Sequence, residues 1–143
     1  MRCAGQQAGW PRPAIRSPAA PPTTDASGCI AAGAEPVAFG EGTIPVSVPE
    51  GFPVPDGAVV GQTMVDRANH RTQFAFTAPQ DATAAVQFYT VNLVSAGFVV
   101  TRSQGDPLGT WVIEFSRDGL LGNVVIRSGG PGVAALAAEF NTC

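Results

Sequence analysis

Between Thr72 and Thr101, the pattern of apolar and polar residues predicts a strand, a helix and a second strand. Residues 72–78 alternate with a two-residue period, which places Phe74 and Phe76 on one face of a strand and polar or small residues on the other. The second strand is expected at residues 98–103. This segment contains no nucleophile–base pair, metal-ligand cluster or phosphate-binding loop, so it indicates a fold and not an activity.

The predicted helix runs from about Ala82 to Ala96. Asp81 can cap its first turn by accepting hydrogen bonds from exposed backbone N–H groups, and Gly97 suits the left-handed residue that closes it. One side of the helix is apolar at the spacing expected for packing on a sheet. The opposite side is also apolar, at Phe88, Val91 and Val94. This second side is covered either by another part of the chain or by a partner.

Alternation elsewhere predicts three further strands, at residues 58–65, 110–116 and 123–128. The closing residues, 133–143, are compatible with a helix, because alanine and leucine favour one, and also with an edge strand. The expected fold is therefore α+β: an antiparallel-rich sheet of about five strands with one helix packed across it. The expected order is β-β-α-β-β-β plus a short C-terminal element.

Proline and glycine separate the chain before residue 56 from the predicted domain at residues 56–143. Residues 29–55 are expected to be a linker, because prolines at positions 45, 49, 53 and 55 impose extended geometry. The linker is interpreted either as a proline-rich ligand for an aromatic groove or as a tether. In the second case its apolar side chains lie along the domain.

Residues 1–28 have the charge of a leader but not its apolar centre. Residues 1–24 carry three arginines and no acidic residue. A secretory signal also needs an apolar stretch of roughly 7–15 residues, and prolines interrupt every candidate here. Ala26-Ser27-Gly28-Cys29 nevertheless has the small-residue pattern of a bacterial lipobox, in which Cys29 is lipidated after cleavage. The alternatives are chance, in a chain rich in alanine and glycine, or a mis-assigned and disordered N-terminal segment.

Composition and charge argue against a nucleic-acid partner and against a metal or other cofactor. Residues 25–143 carry a net charge of −6. An acidic body argues against a nucleic-acid partner, because neutralising phosphates requires a basic face. The three cysteines, at positions 3, 29 and 143, form no CxxC pair, and there is one histidine. Neither a zinc site nor any other cofactor is expected.

The titratable residues form no recognisable catalytic constellation. His70 lies in the predicted polar hairpin tip, where solvent exposure is a simpler interpretation than a general-base role. Most aspartates are explained by turns or helix capping, whereas Glu114 is either a catalytic candidate or the cross-strand partner of Arg102 or Arg127. The arginines between residues 67 and 127 are expected to be scattered rather than gathered around an anion.

Three segments carry a resemblance: GFPVPDGAVV (51–60), FTAPQDATAAVQFYTVNLVSAGFVVT (76–101) and GTWVIEFSRDGLLGNVVI (109–126). In their turn and core positions they resemble small, uncharacterised actinobacterial (mycobacterial-type) envelope proteins, often predicted lipoproteins. The resemblance implies export and a lipobox before the linker, and it brings no activity with it. The sequence departs from the family in lacking the apolar leader.

The expected function is a non-enzymatic cell-envelope module that binds or scaffolds a protein, lipid or glycan. It would be exported, and anchored to the membrane through a lipidated Cys29; without export it would be cytoplasmic. The alternative is a small hydrolase or transferase of an unfamiliar type that uses Glu114 or His70. A lipidated Cys29 leaves Cys143 without an intrachain partner, whereas a free Cys29 in an oxidising compartment can form a Cys29–Cys143 disulfide.

Overall fold

Seven antiparallel strands and one helix make up the fold in a computed structural model, which describes residues 36–142. The strands are β1 (Val37–Glu41), β2 (Val59–Asp66), β3 (Arg71–Ala78), β4 (Val99–Gly105), β5 (Trp111–Arg117), β6 (Leu120–Gly130) and β7 (Val133–Phe140), and helix α1 (Ala82–Ser95) lies between β3 and β4. They form one sheet in the order β1-β2-β3-β7-β6-β5-β4. Strands β1 and β4 are therefore the edges, and β7 is central.

The predicted fold class is wrong, because the protein is mainly β and its sheet has seven strands rather than about five. Strands make up 50% of the described residues and the helix 13%. The two additional strands are β1, in the predicted linker, and β7, in the closing segment whose conformation was left open. The helix itself occupies the predicted segment. The Asp81 carboxylate accepts a hydrogen bond from the Ala84 backbone N–H at 2.8 Å, and Gly97 has a φ of +91°.

Strand β7 shows why the closing segment was ambiguous. Its alanines favour a helix in isolation. In the fold it pairs with β3 on one side and β6 on the other, so two ladders of backbone hydrogen bonds outweigh that local preference. Four residues at a two-residue spacing are buried: Ala134, Leu136, Ala138 and Phe140. Tertiary pairing therefore determines the conformation of this segment.

The inner face of the sheet is the face that α1 covers, and it carries an aromatic core. Helix α1 buries Ala85, Tyr89 and Leu93, three residues of the predicted apolar stripe. The sheet contributes buried phenylalanines from β3, β5 and β7, namely Phe74, Phe76, Phe115 and Phe140. The Phe115 ring lies over Gly122 of β6, where an added Cβ would come within 2.6 Å of a ring carbon. The small residue at position 122 therefore makes room for the ring.

The lead-in segment, residues 36–55, completes this core. Phe52 is buried, and its ring centroid lies 4.9–6.3 Å from those of five other aromatic side chains, Phe74, Tyr89, Phe98, Phe115 and Phe140. Ile44, Val48 and Val54 pack against the same core, whereas Val46 is exposed. These residues belong to the predicted linker, whose apolar side chains lie along the domain in one of its two interpretations. In the structure they contribute an edge strand and a central core residue.

Side-chain hydrogen bonds hold the lead-in segment in place. The Arg117 guanidinium donates to the Glu50 carbonyl at 2.9 Å and to the Ala96 carbonyl at 3.1 Å. It also lies 4.2 Å from the centroid of the Phe98 ring. The hydroxyls of Ser47 and Thr72 are 2.6 Å apart. The lead-in segment is thus joined both to the C-terminal end of α1 and to the sheet.

Candidate functional site

The outer face of the sheet is the face opposite α1. Its residues alternate with the core residues along the central strands, and they are polar residues, alanines and valines: Gln73, Ala75, Val112, Glu114, Asn123, Val125, Ala137 and Glu139. At its centre, Gln73, Ala75 and Ala137 are exposed to solvent. The two faces of the sheet therefore differ in their side chains and in their exposure, because α1 covers only the inner face.

An open cleft of about 410 Å³, here called the polar cleft, lies on the outer face. The β2–β3 hairpin contributes Asn69, His70 and Arg71 to one wall. The floor is formed by strands β5, β6 and β7 through Glu114, Asn123, Leu121 and Glu139. Residues far apart in the chain thus converge because β7 brings the two halves of the sheet together.

Glu114, Asn123 and Glu139 form a row in the polar cleft. The register pairs Glu114 with Asn123 and Asn123 with Glu139, so the three residues occupy equivalent positions on β5, β6 and β7. Because neighbouring strands lie roughly 4.8 Å apart, the backbones at the two glutamates are separated by roughly 10 Å. The row therefore presents an amide between two carboxylates.

An arginine lies beside each glutamate of the row. The Arg102 guanidinium is 3.6 Å from the Glu114 carboxylate, and the Arg71 guanidinium is 3.4 Å from the Glu139 carboxylate. All four side chains are between 38% and 59% exposed. Such surface ion pairs contribute little to stability. They do limit the orientations of the carboxylates.

The wall of the cleft is a tightly bonded hairpin tip. The Asp66 carboxylate accepts hydrogen bonds from the Asn69 side-chain amide at 2.9 Å and from its backbone N–H at 3.1 Å. These bonds, the side-chain bond first, hold the pKa of Asp66 below its ordinary value, and the charge of Arg71 acts in the same direction. His70 has a φ of +54°, in the left-handed region. The tip therefore holds Asn69 and His70 in a defined position beside the cleft.

A second cleft, of about 300 Å³, adjoins the first. It is lined by residues of β4, β5 and their connecting loop, including Arg102, Gln104, Asp106 and Thr110, and it shares Glu114 with the polar cleft. A third, of about 200 Å³, lies towards β1 between Phe39, Met64, Ala75 and Ala137. The outer face thus carries a series of concave surfaces, with Glu114 at the junction of the two more polar ones.

The structure brings together two of the residues considered for catalysis, since Glu114 and His70 line the same cleft. Glu114 was also interpreted as the cross-strand partner of Arg102 or Arg127. In the structure that partner is Arg102. The five arginines do not converge on one site, because Arg117 lies on the inner face against Phe98. Sequence reasoning missed Glu139 and Asn123. Their row becomes visible only when residues 133–140 are assigned to a strand next to β6.

The second apolar side of α1, formed by Phe88, Val91 and Val94, is exposed to solvent mainly at its two valines. Val91 and Val94 are 62% and 60% exposed. Phe88 is half-buried and packs edge-on against Tyr89 with a centroid distance of 5.1 Å. Cys29, the candidate lipidation site, lies outside the described residues, as do Cys3 and Cys143.

The chain matches no protein-family model, no curated protein and no solved structure in comparisons with each. Within residues 36–142, no helix is both long and apolar enough to cross a bilayer. The same residues contain no group of three histidine, cysteine, aspartate or glutamate side chains placed to hold a metal ion. The geometry of the outer face is therefore the basis for a functional inference.

Proposed function

We propose that the protein is a non-enzymatic module of the cell envelope that binds a partner on the outer face of its sheet. One observation carries the proposal, namely the difference between the two faces. The inner face is packed by α1 and by Phe52, whereas the outer face holds the polar cleft and leaves Ala75 and Ala137 exposed. A concave surface with a few converging polar groups is the usual form of a binding site.

The surroundings of the two glutamates favour binding over catalysis. Acid–base chemistry by a carboxylate pair depends on two groups with different environments. Glu114 and Glu139 have similar environments, because each is part of a strand, each is more than a third exposed and each lies beside one arginine. Two equivalent acceptors suit a ligand that donates hydrogen bonds to both.

One observation favours the alternative, a small hydrolase or transferase that uses Glu114 or His70, since both residues line the polar cleft. The two functions predict different fates for a ligand. A module leaves its ligand intact, whereas an enzyme consumes it, and the variants Glu114→Gln and His70→Ala would then abolish turnover. Mass spectrometry of the recovered ligand distinguishes the two functions.

The envelope location rests on the family resemblance and on the Ala26–Cys29 motif. Expression in an actinobacterial host followed by intact mass measurement tests it. Cleavage before Cys29 with added acyl chains is the expected result. An unprocessed mass would contradict the lipid anchor.

A surface-blocking experiment tests the binding face. The full chain, immobilised, is exposed to separated protein, lipid and glycan fractions of an actinobacterial envelope. We expect Ala137→Arg, at the centre of the outer face, to abolish retention of the bound fraction. The matched control is Val94→Arg, which places the same charge on the exposed side of α1. Loss of retention in the control alone would move the contact surface to the helix and contradict the proposal.

A further inference from the structure

We infer that the polar cleft is a binding site for a neutral, hydroxyl-rich ligand of the carbohydrate class, held by the row of Glu114, Asn123 and Glu139. This inference rests on the proposed function and specifies the chemistry of the partner. It is carried by the charge balance of the row, its hydrogen-bonding groups and its continuity with a second cleft.

The charges around the row cancel. Each glutamate of the row lies at ion-pair distance from one arginine, 3.6 Å for Glu114 and Arg102 and 3.4 Å for Glu139 and Arg71. An anionic ligand would meet Glu114 and Glu139, and a cationic ligand would meet Arg71 and Arg102. Neither sign of charge is therefore favoured at the row itself. The adjoining cleft also contains Asp106, whose carboxylate accepts hydrogen bonds from the backbone N–H groups of Leu108 and Thr110. The groups of the row can still bind a neutral ligand through hydrogen bonds.

The hydrogen-bonding groups match hydroxyls. Carboxylates only accept and guanidinium groups only donate, whereas the Asn123 amide does both. A hydroxyl can donate to a glutamate and accept from an arginine or an amide at the same time. A sugar ring carries several hydroxyls on neighbouring carbons. The row offers acceptors and a donor side by side on three adjacent strands, so several hydroxyls of one ligand can be bound at the same time.

Size and surface indicate a ligand longer than one ring. The polar cleft, at about 410 Å³, falls within the range of small-molecule sites, ~300–1,000 Å³. The adjoining cleft of about 300 Å³ shares Glu114, so a chain-like ligand can occupy both. Leu121, which is 59% exposed, gives the polar cleft an apolar contact for the C–H groups of a ring. A short oligosaccharide fits these features.

Binding of the full chain to an array of short oligosaccharides tests the inference. The array carries neutral hexose and pentose oligomers, their uronic-acid and amino-sugar counterparts, and extended peptides. We expect binding to neutral oligomers, with little change between low and high salt, because no net charge is neutralised. Calorimetry with the best neutral oligomer then measures affinity. Asn123→Ala should weaken it about tenfold or more, the effect of one lost hydrogen bond to a well-placed group.

The matched control is Arg127→Gln on the same strand, which is exposed and lies outside the polar cleft and should leave the affinity unchanged. Thermal unfolding of each variant confirms that the fold is retained. Failure of every neutral oligomer to bind, preference for a charged oligomer or a peptide, or an unchanged affinity in Asn123→Ala would each overturn the inference. The proposed function fails separately, if Ala137→Arg still retains the envelope fraction that the wild-type protein binds.

Discussion

The two faces of the sheet show how one set of strands can serve two purposes. The inner face buries seven aromatic side chains in a connected cluster, including one from the lead-in segment, and it is the source of stability. The outer face carries exposed ion pairs and small side chains, whose contribution to stability is minor. Substitutions on the inner face should therefore change the free energy of unfolding, and those on the outer face should change binding.

The largest effect is expected for Phe52→Ala. This residue contacts five aromatic rings, so its removal leaves a cavity at the centre of the inner face. We expect a loss of about 3–5 kcal/mol in the free energy of unfolding, measured by denaturant titration. Phe39→Ala is the matched control on the outer face, because Phe39 is 79% exposed. It should change stability by no more than about 0.5 kcal/mol. Equal losses in the two variants would contradict the comparison.

A smaller effect is expected for Arg117→Ala, which removes the contacts between the lead-in segment and the end of α1. The guanidinium makes two hydrogen bonds to carbonyls and lies on the Phe98 ring. A loss of about 2 kcal/mol is expected from chemical unfolding. Arg127→Ala, an exposed arginine of the sheet, serves as the control and should be nearly neutral. A neutral Arg117→Ala would contradict a stabilising role for these contacts.

The double variant Glu114→Gln, Glu139→Gln tests whether the outer face contributes to binding rather than to stability. Each ion pair is largely exposed, so its loss should lower the free energy of unfolding by less than about 1 kcal/mol. Ligand affinity, in contrast, should fall clearly, because an amide oxygen is a weaker acceptor than a carboxylate. Thermal unfolding and calorimetry on the same samples measure both quantities. A variant that loses stability but keeps its affinity would reverse the assignment of the two faces.

The smallest effect is a pH dependence at the hairpin tip. The pKa of Asp66 is lowered in the folded state, chiefly by its hydrogen bond from Asn69. Its contribution to stability is therefore complete above the ordinary aspartate pKa of about 3.9 and is lost as the pH falls through the lower, folded value. The difference in unfolding free energy between wild type and Asp66→Asn should narrow in that acidic window. A difference that stays constant with pH would contradict this role of Asp66.

Local signals in the sequence predicted the local structure. The cap at Asp81, the closing residue Gly97 and the alternation of residues 72–78 each depend on neighbours within a few positions, and each is found in the structure. The Asp118-Gly119 turn between β5 and β6 is likewise local, and its φ values are +52° and +85°. These features are short-range, so the sequence carries them directly.

Long-range pairing could not be predicted in the same way. Strand β1 lies among prolines and glycines, and it forms because β2 offers it an edge. Strand β7 is rich in alanine, and it forms because β3 and β6 flank it. The row in the polar cleft depends on the register of β5, β6 and β7, so Glu139 could not be connected with Glu114. Contacts between distant segments, rather than local preference, determine these parts.

The position of β7 also constrains how the protein is made. Strands β3 and β6 have no other partner on the side that faces β7, so the groups β1–β3 and β4–β6 are joined into one sheet only through it. A nascent chain in which residues 133–140 are still inside the ribosome therefore cannot complete its sheet. Late pairing between distant segments is slow. The two halves of the sheet are therefore joined only after the segment that contains β7 has left the ribosome.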